Sequence, residues 1–262
     1  MQDTLVSLII STYNWPKALE KCLLSILIQK QLPNEVLVAD DGSGQETRQL
    51  IERYKLIFPV PIKHIWHEDQ GFRKSKIINE AVRNSSFDYL IQIDGDVILH
   101  PYFVKDHIAV REEGVFIRGT RAMLSAHKTQ EILETENIKL TIFSKGLKHR
   151  INALWIPTLK QLGIRKENSS KSVRGSNLAF WKSDFILING YNNELEGWGH
   201  EDEELAARFI NNDIIKKIVK LCAIQYHLHH KPSSRINEKV HAETVKTTVT
   251  NQIRTCVKGY NN

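Results

Sequence analysis

The chain has 262 residues, 41% hydrophobic and 25% charged, which supports a large buried core and excludes a disordered or low-complexity protein. Its net charge of +6 comes largely from residues 128–172, where nine Lys or Arg outnumber four Asp or Glu. Three scattered cysteines, Cys22, Cys222 and Cys256, exclude a disulfide scaffold, and no apolar run approaches the ~20 residues of a membrane span. The N-terminus carries neither a basic leader nor a small-residue cleavage site, so a soluble, cytoplasmic protein is expected.

Residues 5–10 read as a buried strand and 17–29 as a helix with Leu19, Leu23 and Leu27 inward. Pro33 breaks the chain before a strand at 36–39, which ends on Asp40, Asp41, Gly42 and Ser43. A helix over 46–54, a strand at 62–66, a helix over 74–82 and a strand at 89–93 follow, the last running into Asp94, Gly95 and Asp96. This order predicts an α/β fold with a mostly parallel sheet and helices on both faces. Ligands of such sheets bind outside the carboxyl ends of the strands, so the two aspartate pairs should open into one crevice.

Residues 126–172 form a basic insertion. Ile142, Phe143, Leu147, Ile151, Leu154, Trp155, Leu159 and Leu162 fall roughly at helical spacing there, broken by Pro157. A helical insertion that packs this stripe on the domain is expected; peripheral contact of residues 128–172 with the anionic inner face of a membrane is the alternative. Nucleic acid is not an expected partner, because no binding motif or aromatic-interleaved basic run is present. Beyond the insertion, 173–180 reads as a strand, 183–188 as a short helix and 189–191 as a turn. A helix opens at Glu201 with Leu205, Ala206 and Phe209 on one face, then come a strand over 214–223 and a basic helical tail over 237–256.

The chemistry concentrates in a few places. Gly197, Trp198, Gly199, His200, Glu201, Asp202, Glu203 and Glu204 set four acids at the positive end of a helix dipole, behind a glycine loop that lets a ligand approach. A plain helix start over a packed tryptophan is the bland reading of the same residues. Asp94 and Asp96, held by a strand, can grip a hard divalent cation, although a tight Asp-Gly turn would look alike. His227, His229 and His230 could complete a metal site; in a strand His227 and His229 face one side, and imidazole beside two carboxylates suits manganese. A metal-neutralised diphosphate, a carboxylate base after Trp198 and an aspartate pair that accepts from a nucleobase or ribose together describe sugar transfer from a nucleotide-sugar to an alcohol.

The sequence resembles GT-A fold, family 2 glycosyltransferases with a galactosyltransferase-like C-terminal part. The resemblance rests on residues 6–14, the Asp40-Asp41-Gly42-Ser43 turn, Gln70-Gly71-Phe72-Arg73 with Lys76 and Asn79, Asp94-Gly95-Asp96, Arg174-Gly175-Ser176-Asn177, Asn189-Gly190-Tyr191, and the Gly-Trp-Gly stretch through Asp202. It looks like the bacterial polysaccharide, lipopolysaccharide and chondroitin-polymerase types. It implies a Rossmann-like catalytic unit over 1–230, with a nucleotide-binding half (1–125), the insertion (126–172) and an acceptor half (173–230), followed by a tail (231–262).

The resemblance also implies roles. Thr12 and Tyr13 line the nucleotide pocket, an aspartate of the Asp40 and Asp41 pair reads the uracil edge, and Arg73 and Lys76 approach the nucleotide or diphosphate. Asp94 and Gly95 contact the donor, and Asp96 with Asp94 and His227 holds Mn2+ or Mg2+, with His229 as the alternate ligand. Arg174, Asn177, Trp198 and Glu201 serve the sugars, and Asp202 is the base of an inverting displacement on a UDP-sugar, toward a saccharide or glycolipid acceptor. Glu203 and Glu204 read as first-turn acids. His200 stands where galactosyltransferases often carry glycine, so acceptor details do not transfer. A sugar nucleotidyltransferase would show a glycine-rich basic loop in place of residues 11–16, and a glycan-binding module would have no use for Asp94 and Asp96.

Overall fold

The computed structural model describes residues 5–231 and 236–262; residues 1–4 and 232–235 of the expected tail lie outside the described residues. The first half alternates β1 (Val6–Thr12), α1 (Pro16–Leu27), β2 (Glu35–Asp40), α2 (Gln45–Ile57), β3 (Ile62–Trp66), α3 (Lys74–Asn84) and β4 (Tyr89–Asp94). The four strands are parallel in the order β3-β2-β1-β4. Strand alternation divides their side chains between two cores. Val6, Leu8 and Ile10 face Leu19, Leu23 and Ile26 of α1 and Leu50, Ile51 and Tyr54 of α2, whereas Ile9 and Leu37 face Ile77, Ile78, Ala81 and Val82 of α3.

Next come β5 (Val97–Leu99), α4 (Phe103–Val110), β6 (Val115–Arg118), β7 (Thr120–Leu124), α5 (Ala126–Glu134), β8 (Leu147–Lys148) and β9 (Ile164–Glu167). The chain closes with β10 (Asn177–Trp181), α6 (Lys182–Leu187), α7 (Glu201–Asn211), β11 (Ile215–Val219), β12 (Ile224–His227) and α8 (Glu238–Thr250). The large sheet runs β3-β2-β1-β4-β10-β6-β11-β9, and a second sheet runs β5-β12-β7-β8. β10 is antiparallel to β4, so its first residue, Asn177, lies beside Ile93 at the carboxyl end of β4. One rim of the sheet therefore collects the ends of β1, β2 and β4 and the start of β10.

Two expectations are corrected. The single strand over 214–223 is two strands in different sheets, because Leu221 and Ala223 have left-handed φ of 64° and 50° and turn the chain between them. The insertion is less helical than its spacing suggests: after α5 it has only two 3-10 turns, Arg150–Ala153 and Pro157–Gly163, besides β8 and β9. Gly146 and His149 take left-handed φ and Pro157 interrupts the rest. The expected stripe packs only in part, through Leu147 and Trp155. Phe143, Ile151 and Leu162 are 86%, 78% and 81% exposed, whereas Ile132, Ile138, Leu140, Leu147 and Ala153 enter the core of the smaller sheet. No helix among the described residues is long and apolar enough to cross a membrane.

α7 is fixed by a buried ion pair that corrects the reading of Glu204 as a simple first-turn acid. Glu204 and Arg208 are 2% and 0% exposed. Arg208 Nε and Nη2 donate to the two Glu204 oxygens at 2.8 and 2.6 Å, and Nη1 donates to the carbonyls of Ile188 and Gly190, both at 2.6 Å. The tail is part of this scaffold: Thr248 Oγ1 lies 3.4 Å from Glu204 Oε1, and His241 Nδ1 donates to the Gly199 carbonyl at 2.7 Å.

Removing one charge of a buried pair leaves the other uncompensated. Arg208→Ala is therefore expected to cost about 3–5 kcal/mol in urea denaturation, and Glu204→Leu with Arg208→Met much less. A loss below about 1 kcal/mol for the single variant would show that the pair is not the anchor of α7.

Candidate active site

A cavity of about 630 Å³ opens at this rim, lined among others by Thr12, Tyr13, Asp41, Asp94, Asp96, Trp198, Glu201 and His227. Asp41, Asp94 and Asp96 thus share one crevice, but Asp40 does not reach it. Asp40 is fully buried, accepting from Ser43 N at 2.8 Å and pairing with His64 Nε2 at 2.8 Å. Asp41 accepts from Arg73 N at 2.9 Å and pairs with His67 Nε2 at 2.7 Å; burial lifts its pKa against these contacts. Of the proposed pair, Asp41 is the aspartate at the cavity wall.

Asp94 ends β4 and accepts from Ser11 Oγ at 2.8 Å and Lys74 Nζ at 2.9 Å. Burial acts to raise its pKa, but the Lys74 ammonium, the Ser11 hydroxyl and His227 together hold the carboxyl below its ordinary value. Lys74, in the first turn of α3, stays charged despite its own desolvation because Asp94, Asp202 and Glu201 all act on it. The sequence reading passed over Lys74 in favour of its neighbours. Arg73 is turned away, with its guanidinium on Gln70 Oε1 and the Glu68 carbonyl, and Lys76 faces Glu196 at 3.5 Å beside a different, shallow hollow. On a helix of 3.6 residues per turn only one of three adjacent cations points at the rim.

Asp96, His227 and His230 bring one ligand atom each within 4.8 Å of one another. His227 Nε2 and His230 Nε2 lie 3.5 and 3.2 Å from Asp96 Oδ2, and Asp96 Oδ1 is buried with no partner. An orphaned carboxylate oxygen beside two imidazoles is a donor set that suits a divalent cation. Asp94, engaged by Lys74, is not in this group. His229 lines the cavity but stays outside the group as well, its Nδ1 lying against the His230 carbonyl. Strand alternation favoured His229, but β12 ends at His227 and the period of two stops there. Burial lowers the pKa of His227, against the pull of Asp96, which favours the neutral, metal-binding imidazole.

The acidic stretch starts α7 as expected, through a left-handed turn at Gly197, Gly199 and His200. Glu201 accepts from Gly199 N at 3.0 Å, and burial, then the charge of Asp202, pushes it up to about 7. Glu203 accepts from Ser172 N at 2.6 Å and pairs with His200 Nδ1 at 2.9 Å. Asp202 Oδ1 accepts from the buried Tyr191 hydroxyl at 2.7 Å, and Gln92 Nε2 donates to that hydroxyl at 3.0 Å. The backbone of Tyr191 is held in turn by Asn79, whose side chain bonds both its N–H and its carbonyl. Gly175 abuts this network: a Cβ there would lie 2.5 Å from Asp202 Oδ1, so only glycine fits.

Two acceptor-side residues are placed otherwise than expected. Asn177 is buried in the sheet, donating to the carbonyls of Thr120 and Ala223 and pairing with His107, so it holds structure together outside the cavity wall. Arg174 is exposed on the turn before β10 and also stands outside the wall. The wall also holds Lys74, Arg121, Lys148 and His149, for which sequence periodicity gave no signal.

Comparison with known proteins follows this geometry. The sequence model of Glycosyl transferase family 2 matches residues 7–152, more than half of the chain. The chain belongs to this family. A second model, described as the N-terminal domain of galactosyltransferase, matches residues 160–231. The chain is 24% identical to a chondroitin synthase from Escherichia coli over 93% of its own length, and 25% identical to a hyaluronan synthase from Pasteurella multocida over 89%. It spans only 37% and 25% of the length of those two synthases. Among solved structures, S. aureus TarS superposes with a TM-score of 0.62 at 16% identity, covering 95% of this chain and 40% of TarS. A mannosyltransferase from Pyrobaculum calidifontis, solved with GDP-Man and Mn2+, gives 0.59 at 16% identity over 86% of this chain and 57% of its own. The fold is GT-A, with the helical faces and mixed sheet described above.

The raised pKa of Glu201 makes a signed prediction. Between about pH 4.5 and 7 the folded chain holds a proton on Glu201 that the unfolded chain has released, so this group's contribution to stability falls as pH rises through that window. Glu201→Gln is expected to remove that slope. Parallel denaturation curves for the two proteins across the window would contradict it.

Proposed function

We propose that the chain is an inverting, metal-dependent glycosyltransferase that moves a hexose or N-acetylhexosamine from a UDP-sugar to a hydroxyl of a saccharide acceptor, in cell-surface glycan synthesis on the cytoplasmic side. The observation that carries this reading is one cavity whose wall holds both the Asp96, His227 and His230 group and Glu201, with Asp202 next to Glu201 on α7, held by Tyr191 and not itself part of the wall. The names of the two synthases support a polysaccharide product, and the Mn2+ in the mannosyltransferase structure supports a metal.

Asp96 and His227, with His230 in the place first given to Asp94 or His229, would hold Mn2+ or Mg2+, which supplies charge neutralisation for a diphosphate leaving group. Tyr13 and Thr12 bound the nucleotide end, and Asp41 is the candidate to read the uracil edge. Trp198 offers an apolar platform for a sugar ring, and Glu201 lies beside it. Asp202 is the proposed base: it takes the proton of the acceptor hydroxyl as that oxygen bonds the anomeric carbon and the bond to the diphosphate breaks. The Tyr191 hydroxyl fixes one carboxylate oxygen and so aims the other. Lys74 offsets the crowding of Asp94, Glu201 and Asp202.

Two variants test the two ends separately. Asp96→Ala, or wild type in EDTA, is expected to lose transfer from every UDP-sugar, measured as UDP release; undiminished transfer would exclude the metal assignment. Asp202→Asn should bind UDP normally while kcat falls about 10²- to 10⁴-fold, and normal turnover would move the base elsewhere.

A further inference from the structure

We propose that Arg118, Arg121 and Arg174 form a subsite for an anionic group, a carboxylate or phosphate, carried by the saccharide acceptor. This rests on the glycosyltransferase reading above and names a class of acceptor for it. Arg118 ends β6 and Arg121 is the second residue of β7, with only Gly119 between the two strands. Residues 172–176 cross both: Arg118 Nε donates to the Ser172 carbonyl at 3.2 Å, and Arg121 Nη1 lies 3.5 Å from Ser176 Oγ. Arg174 lies midway along this segment. The segment is also fastened to the start of α7, through Ser172 N on Glu203 and Gly175 against Asp202. The backbone that carries Arg174, and that Arg118 and Arg121 both contact, is thereby fastened beside the proposed base.

Among the described residues none of the three is in a salt bridge. Glu167 acts on Arg118 but is bonded to Lys216 at 3.1 Å and to Arg165. Asp94 and Asp96 act on Arg121, yet Asp94 is held by Lys74 and Asp96 belongs with the histidines. Arg121 Nε is buried with no partner, and Arg121 lines the cavity. Burial, then the charge of Arg174, lowers the pKa of both Arg118 and Arg121, so the cluster is strained by its own repulsion. Planar guanidinium forks match carboxylate and phosphate, and an anion here would relieve the repulsion and satisfy the orphaned N–H.

The attachment of the 172–176 segment assigns the anion to the acceptor. Ser172 N is bonded to Glu203 and Gly175 packs against Asp202, so Arg174, exposed on that segment, stands on the side of the proposed base.

Saturation-transfer NMR on the full chain, with UDP and Mg2+ saturating, compares D-glucuronate with D-glucose as probes. Glucuronate is expected to bind about tenfold tighter than glucose, and Arg174→Gln, an exposed position, to erase that preference while UDP affinity stays unchanged. Arg118→Gln should behave alike. Equal binding of the two sugars by wild type, or a preference that survives in both variants, overturns the proposal. So does a carboxylate preference seen only between UDP-glucuronate and UDP-glucose, which assigns the anion to the donor. Failure of wild type to bind UDP at all would instead overturn the glycosyltransferase reading, and the same titrations report it separately.

Discussion

The rim of the sheet depends on Arg208. A guanidinium with 0% exposure that bonds both Glu204 oxygens and the carbonyls of Ile188 and Gly190 ties α7 to the turn that carries Tyr191. Such a pair adds little net stability over an apolar filling, because desolvation of both charges offsets their attraction. Its effect here is positional. It sets the register between Asp202 on α7 and the Tyr191 hydroxyl, while Asn79 clamps the same turn to α3. Three helix-borne segments distant in sequence thus meet with their polar groups satisfied, and the carboxylate at their junction is held in one orientation.

The electrostatics of the cavity follow from crowding. Asp94, Asp96, Glu201 and Asp202 share one region with Lys74 as the cation common to all four. Each carboxylate settles differently. Asp94 is kept ionised by contact with Lys74, Glu201 is lifted by burial and by Asp202, and Asp96 is lifted by burial and by Asp94 despite its two imidazoles. Neighbouring acids whose environments pull them apart can do separate jobs at one pH.

Much of this was legible from residue order alone. The β-α alternation through Asp94 produced the sheet, and the apolar strands with polar ends located the rim. The acids after Trp198 also fell at a helix start, as the periodicity of Leu205, Ala206 and Phe209 indicated. What was not legible depended on geometry that local spacing does not encode. Lys74 was hidden between Arg73 and Lys76, three cations whose helical directions differ. His230 replaced His229 because β12 ends at His227, two residues short of His229, so alternation does not apply there. Asn177 and Asp40, polar residues beside motifs, are buried and bonded within the scaffold, which no single-sequence pattern distinguishes from a ligand contact. The spacing of apolar residues in the insertion suggested a helix, but left-handed residues and Pro157 redirected the chain.

The reversal of β10 beside β4 has a consequence for how such a protein can diverge. Residues that bound the proposed nucleotide end come from 11–96, and those around the proposed base come from 172–204, two continuous stretches that meet at one seam in the sheet. Few side chains, chiefly Lys74 and Asn79, cross that seam. Under the proposed function, change within the later stretch would alter the acceptor side while the nucleotide side keeps its shape. The antiparallel strand works as a joint, and of the three arginines only Arg174 sits in the later stretch.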